Sequence, residues 1–379
     1  MAEEKQLIVK KNKKHHVDIA LAIVTLVLLS LGVIMVLSAS APSAFRTEGD
    51  SYYYFKKQLL YAAIGIVVMF LTSRIDYKIY SSKVISYGLF AVALMLLIVV
   101  LIPGIGIKVN DARRWIKIGI QFQPSEIMKV ALIILMSSLI SRNPDRLKKF
   151  LTGLLPYLAL VVLVGFLLMM EPHMSATIII VFIAGAILLV GGVNLKHILP
   201  FIPIAAVAGY ILSVTSEYRW KRVTIFIDPW QDPLGNGWQI IQSLYAICSG
   251  GLFGVGLGQS TQKYMYIPEP HNDFIFAIWA EEMGLFGVLL IMVLFAIFIW
   301  RGVMISIKAP DLFGSLLAIG ITVMIGIQAV FSIAVVSSSM PVTGIPLPFF
   351  SYGGTALIIN LIAIGILLSV SRAGNKTDI

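Results

Sequence analysis

The feature that most limits what this chain can fold into is a series of long apolar runs separated by short charged segments. The first continues without a charge from 19 to 37, beyond the length of an ordinary buried strand and close to what a bilayer-spanning helix needs. Comparable runs lie near 57–73, 84–103, 125–141, 151–170, 177–192, 197–215, 273–300, 312–337 and 354–371. In lipid every backbone amide must find its partner within the protein, so runs of this kind predict helices. The expected fold is an all-α polytopic membrane protein of about ten transmembrane helices, with one large loop (216–272) between helices 7 and 8. Only 13% of the 379 residues are charged, which excludes an ordinary soluble globule. The single cysteine, Cys248, excludes an internal disulfide.

The expected organisation is a basic tail (1–17), one membrane domain (18–371) and a short tail (372–379). The first run reads as a retained span opened by Asp18, because no small-residue cleavage site follows it. Most of the 29 lysines and arginines fall on one side if the N-terminus is cytoplasmic, among them Lys10, Lys11, Lys13, Lys14, Lys78, Arg142, Arg146 and Arg301. Ten spans then place both termini in the cytoplasm. The net charge of +10 is accounted for by topology and anionic lipid, so no nucleic-acid partner is expected.

Cations that remain on the outer side are clustered. Arg113 and Arg114 stand beside Trp115, and Arg219, Lys221 and Arg222 alternate with Tyr218 and Trp220; Lys263 follows. Guanidinium forks beside interfacial rings suit a phosphate-bearing ligand. Glu126 and Lys129 are three apart at the start of the fourth span, which predicts a buried ion pair, most simply a clamp between helices. Glu281 and Glu282 lie about 12–14 Å below Asp273 by helical rise and need partners, with Lys129 a candidate. Residues 238–248 have helical spacing but are too short to cross. Glycines 250, 251, 254, 256 and 258 suggest close backbone packing before a phosphate cradle. The uncharged stretch 341–354 reads as a rigid outer connector lining a cavity.

The outward stretch Ile267-Pro268-Glu269-Pro270-His271-Asn272-Asp273-Phe274 concentrates acids, a histidine and prolines at a predicted boundary. A carboxylate there serves either as a helix cap or as a reactive group, and the stretch by itself leaves both open. Glu171, before Pro172 and His173, is a second outward acid.

Several of these segments together resemble the SEDS family of cell-wall proteins (FtsW, RodA and SpoVE). They are Ala112-Arg113-Arg114-Trp115, Gln123-Pro124-Ser125-Glu126 with Lys129, and Gly237-Trp238-Gln239-Ile240-Ile241-Gln242-Ser243. Pro268 to Ala277 with Glu281-Glu282, and Pro346-Leu347-Pro348-Phe349-Phe350-Ser351-Tyr352-Gly353-Gly354, complete the set. Residues 256–260 are worded more like FtsW and SpoVE than RodA. The resemblance implies a peptidoglycan glycosyltransferase that polymerises lipid II at the outer face of the bacterial cytoplasmic membrane. It also implies a class B penicillin-binding protein and other division or sporulation membrane proteins as partners. Asp273 takes the position of the family's essential acid. Candidate substrate-binding residues are Arg113, Arg114, Arg219, Lys221, Arg222, Lys263, Glu171, His271 and Gln242. The chain departs from the family at His173, where aspartate is frequent, at Asn272, and at Ser332. No ligand cluster for a metal is visible, although a divalent cation (Mg or Mn) could share the pyrophosphate charge. A lipid II transporter and a non-catalytic scaffold are the competing classes.

Overall fold

The structure, a computed structural model, describes residues 17–109, 112–264 and 266–374. The lysine-rich start, the Asn110-Asp111 pair and residues 375–379 lie outside the described residues. Helices α1 (Ile19–Glu48), α2 (Tyr53–Arg74), α3 (Lys83–Leu101), α4 (Pro124–Arg142), α5 (Leu155–Met170), α6 (Met174–Val190), α7 (Leu195–Ile198) and α8 (Phe201–Val214) form the first part. The short helices α9 (Glu217–Ile227) and α10 (Trp238–Ser249) follow, then α11 (Ile275–Ile307), α12 (Leu312–Val336) and α13 (Thr355–Gly374). Among the described residues, eight helical segments are long and apolar enough to span a membrane, and Met174–Val190 is a shorter apolar helix. The run expected at 197–215 is divided into α7 and α8, with Pro200 at the junction.

The two ends of the bundle are tied differently. At one end Asp18 caps α1 through Leu21 N (2.9 Å), its amide donates to Ser371 Oγ (3.0 Å), and Arg301 Nε donates to its carboxylate at 3.0 Å. Nearby, Asp311 caps α12 through Gly314 N (2.7 Å) and accepts from Tyr77 Oη (2.6 Å). These bonds join α1, α11, α12, α13 and the turn that follows α2 at what we term the tied end. The opposite end carries the irregular segments and the candidate site.

Helices α4, α12 and α13 are largely enclosed, whereas α2, α3 and α11 keep apolar faces outward. Small residues set the closest approaches, as they do where lipid supplies no hydrophobic drive between helices. A Cβ at Gly365 would meet Met69 O at 2.5 Å, and one at Gly302 would meet Thr322 Oγ1 at 2.2 Å.

The helical framework is accompanied by a small antiparallel sheet that the all-α reading did not include, in the order β1 (Gly106–Val109), β2 (Ala112–Ile118) and β3 (Ile120–Phe122). Gly119, at φ +72°, makes the turn between β2 and β3. The sheet bears on the site through Arg114, the extra residue of β2 at an irregularity where Ile107 faces Trp115 and Lys108 faces Arg113. Arg113, Arg114 and Trp115 are all half-buried there, between the buried Ala112 and Ile116.

Helix α11 is broken. Gly284 sits at φ +62°, ψ −163°, so Leu285 and Phe286 amides cannot reach the preceding turn. They donate instead to Gly251 O (2.9 Å) and Leu252 O (3.2 Å). The carbonyls thereby freed, those of Glu281 and Glu282, accept from Val255 N (3.0 Å) and Gly256 N (3.1 Å). The glycine-rich segment is thus inserted into the helical ladder, and every displaced backbone group is paired again. The expectation of close backbone packing holds: a Cβ at Gly254 would lie 2.1 Å from Glu282 O.

Candidate functional site

The 267–274 stretch closes as a tight turn. Asn272 N donates to Glu269 O (3.0 Å), Asn272 Nδ2 donates to Glu269 Oε2 (2.8 Å), and Glu269 takes φ +43°. The helix that follows is capped by Phe274 without any side-chain hydrogen bond. Capping by Asn272 or Asp273 is therefore excluded, since Asn272 is spent on Glu269. Among the described residues no protein donor reaches the Asp273 carboxylate, which stays half-buried at the mouth of the bundle.

Four segments surround it. Arg222, on α9, and Arg114, on β2, both lower the Asp273 pKa by their charge, so both guanidiniums lie within electrostatic reach of it. Burial and then Glu269 act the other way and prevail, so its pKa is raised to about 6. Arg222 is held in place by donating to Val342 O (2.7 Å). Arg114 donates to Glu171 O (3.3 Å) and to Pro172 O. A methyl group at Gly344 would lie 3.2 Å from Asp273 Oδ2. The uncharged 341–354 connector thus reaches the Asp273 carboxylate, and its carbonyls hold cationic and hydroxyl groups: Thr343 O accepts from Ser175 Oγ.

Glu171 lies behind Arg114. It is fully buried, both carboxylate oxygens lack a hydrogen-bond donor among the described residues, and burial raises its pKa to about 8. Its neighbour His173 is also buried, and burial followed by the charges of Arg114 and Lys129 lowers its pKa to about 3. Beneath His173, Glu126 and Lys129 form their buried pair at 2.8 Å. The pair closes within α4 and does not clamp two helices, since a three-residue spacing already lets the charges meet.

His271 points away from the arginines. It is buried against Tyr54, ring centroids 4.3 Å apart, and near Tyr352. Its backbone oxygen accepts from Tyr352 N (2.9 Å), so its visible role is to fasten the turn that carries Asp273. Burial lowers its pKa to about 4. Gln242 is buried on α10, beside Ser243, whose hydroxyl donates to Val336 O (2.7 Å).

Three expected phosphate contacts are displaced. Arg113 is half-buried on β2 and, unlike Arg114, is not among the charges that act on Asp273. Lys221 is exposed and pairs with Glu217 one helical turn back at 2.8 Å, leaving Arg222 as the α9 cation that faces Asp273. Arg219, three residues before Arg222, lies on that same side, and its Nη1 is buried without a partner among the described residues. Lys263 is buried and bonded to Glu282 Oε1 (2.9 Å) and Ser38 Oγ (3.2 Å). The partner expected for the second-turn acids was Lys129; Lys263 takes that place for Glu282, because the broken helix draws the 260–263 segment against α11. The residues missed at the sequence level are Gly344 and the carbonyls of Val342 and Thr343. A glycine between Thr343 and Ile345 at φ +70° is the only local signal, since carbonyl acceptors leave no mark in residue type.

Residues 19–376 match the family model described as cell cycle protein, which covers FtsW, RodA and SpoVE. Stage V sporulation protein E of Bacillus subtilis is 44% identical over 362 residues, 95% of this chain and 98% of that protein. The probable peptidoglycan glycosyltransferase FtsW of Trichlorobacter lovleyi is 43% identical over 360 residues, 95% of this chain and 94% of its own length. Among solved structures, a chain of a peptidoglycan synthase complex superposes with TM-score 0.78 at 29% identity, covering 94% and 98% of the two chains. Thermus thermophilus rod shape determining protein RodA gives 0.69 at 25% identity, covering 94% and 97%.

Proposed function

Because this multi-pass membrane protein belongs to the FtsW, RodA and SpoVE family of cell cycle proteins, we propose that it polymerises lipid II into glycan strands and that Asp273 is the base. The observation that carries the assignment is a carboxylate released from helix capping and within electrostatic reach of Arg114 and Arg222.

The chemistry follows from that placement. Asp273 accepts the proton of the acceptor sugar's 4-hydroxyl while that oxygen attacks the donor's anomeric carbon. The bond from that carbon to the pyrophosphate oxygen breaks, and the electron pair leaves with the pyrophosphate. Such a leaving group is already anionic, so the site needs no strong general acid of the kind glycosidases use. It needs positive charge, which Arg114 and Arg222 supply from fixed positions. A carboxylate with its pKa raised to about 6 is largely ionised at neutral pH yet more basic than an ordinary aspartate. Among the described residues no group of three or more His, Cys, Asp or Glu side chains stands together to cage a resident metal. A divalent cation, Mg or Mn, belongs to the proposal only as a companion of the substrate's pyrophosphate, and no step uses it.

The same reading assigns the site end to the outer face of a bacterial cytoplasmic membrane, with ten crossings and both termini inside. The relative in a peptidoglycan synthase complex motivates a class B penicillin-binding protein as partner, with other division or sporulation membrane proteins around it. Labelled lipid II supplied to reconstituted protein on one leaflet tests the function. Glycan polymer is expected, increased by the partner; translocation without polymer would make the protein a transporter, and neither product would leave it a scaffold.

A further inference from the structure

The polar groups inside the break in α11 exceed what repairing the backbone requires. Glu281 accepts from Thr261 N (3.0 Å), Thr261 Oγ1 (2.8 Å), Gln262 N (3.4 Å) and Ser260 Oγ. Glu282 accepts from Ser38 Oγ (2.7 and 2.8 Å), from Lys263 Nζ (2.9 Å) and weakly from Ser260 N (3.4 Å). Glu281, Glu282, Ser260 and Lys263 are each at most 4% exposed. Buried charges are costly unless paired and hydrogen-bonded, and here both carboxylates are saturated with donors.

What these donors share is their place in the chain. Ser260 to Lys263 begin the segment that runs through the 267–274 turn and ends at the start of α11. That segment is therefore held at both ends by one helix: its beginning by Glu281 and Glu282, its end by continuity into Ile275. Between the anchors, Trp238 Nε1 donates to Tyr266 O (2.6 Å), and His271 packs on Tyr54. Ser38 brings in α1, 244 residues away in sequence from Glu282.

We propose that Glu281, Glu282, Lys263 and Ser38 form a positioning cluster for the catalytic turn, fixing Asp273 relative to Arg114 and Arg222 from the far end of its own loop. None of the four touches substrate in this role. The reason for a charged anchor, where apolar packing would serve stability equally, is direction: four donors on one carboxylate leave a single arrangement of the 260–263 backbone. The inference rests on Asp273 acting as the base.

The test uses full-length protein in liposomes, with lipid II titrated across pH. Lys263→Met is expected to lower kcat about tenfold or more, with KM nearly unchanged, as a misplaced but intact carboxylate would. The acid limb of the pH–rate profile should also move, and Lys263→Arg should restore most of the rate. Because Lys263→Met strands the Glu282 charge, the pair Lys263→Met/Glu282→Gln and the single Ser38→Ala are read alongside. Ser38→Ala keeps both charges and is expected to show the same pattern, with a smaller loss of kcat. A lowered melting temperature with kcat, KM and pH profile unchanged would make the cluster purely structural and overturn the proposal. A raised KM at constant kcat would place Lys263 on the substrate and overturn it as well. Full activity of Asp273→Asn would instead remove the base assignment, a result separable from both.

Discussion

Arg114 donates to the backbone carbonyl of Glu171 and leaves that residue's own carboxyl, fully buried, without a donor among the described residues. A carboxyl in that setting is held neutral at pH 7, its pKa raised to about 8 by burial. In the unfolded chain it ionises near 4.5, so the folded state binds the extra proton between these values. Its contribution to stability is present below about pH 4.5 and is lost as pH rises toward 8. Glu171→Gln removes the titration and keeps the shape. Its melting temperature relative to the unsubstituted protein is therefore expected to rise between pH 5 and pH 8; a flat difference would place a charged Glu171 in the fold.

Of the two adjacent arginines on β2, Arg114 and not Arg113 acts on the Asp273 charge, and kinetics should separate them too. A charge-assisted hydrogen bond is worth about 1.5–3 kcal/mol, or roughly 10–100-fold. Arg114→Ala and Arg222→Ala are each expected to lower kcat/KM for lipid II by about that range. Lys221→Ala should stay within about twofold, as for an exposed charge, and Arg113→Ala should cost less than Arg114→Ala. Arg114→Lys should not rescue, because one ammonium cannot reproduce the guanidinium's two tethers to the 171–172 backbone.

Gly344 offers a steric probe of Asp273. Its φ of +70° is unfavourable for other residues, and an added methyl would press on Oδ2 at 3.2 Å. Gly344→Ala is expected to reduce kcat while the protein still folds, by less than the roughly 100-fold of a 1 Å misplacement, since a contact at 3.2 Å displaces Oδ2 only slightly. Polymerisation rate and thermal stability measured on one preparation check both halves of this statement.

The interlock of the glycine segment with α11 predicts a loss of stability. Gly254→Ala would drive a methyl onto Glu282 O, at 2.1 Å, with φ at +81°. We expect a clear drop in melting temperature or loss of folded protein in detergent. Gly258→Ala, where nothing lies within 4 Å, meets only the strain of its φ of +79° and should be milder.

How far the sequence foretold this arrangement varies from residue to residue. Asp18 was legible as the start of α1, the apolar runs as helices, and 238–248 as a short helix, because each depends on neighbours in the chain. The glycine run was legible as close packing for the same reason. Lys263 was misplaced because its burial depends on a break in α11 that only the 250–256 backbone explains. Arg113 and Lys221 share sequence clusters with Arg114 and Arg222, the cations that act on Asp273, because adjacency in sequence does not record which side chain turns toward it. Arg222 with Val342 and Ser38 with Glu282 are 120 and 244 residues apart. Such contacts have no local signature, and backbone carbonyls in a neutral loop have none at all.

The central claim, that Asp273 is the base, is tested most directly by the pH dependence of glycan polymerisation in purified, partner-bound protein and in Asp273→Asn. The unsubstituted enzyme should gain activity as pH rises through about 6, where the raised Asp273 pKa lies and the carboxylate ionises. Asp273→Asn should yield no polymer at any pH while remaining folded. Normal glycan strands from the asparagine variant would contradict the account.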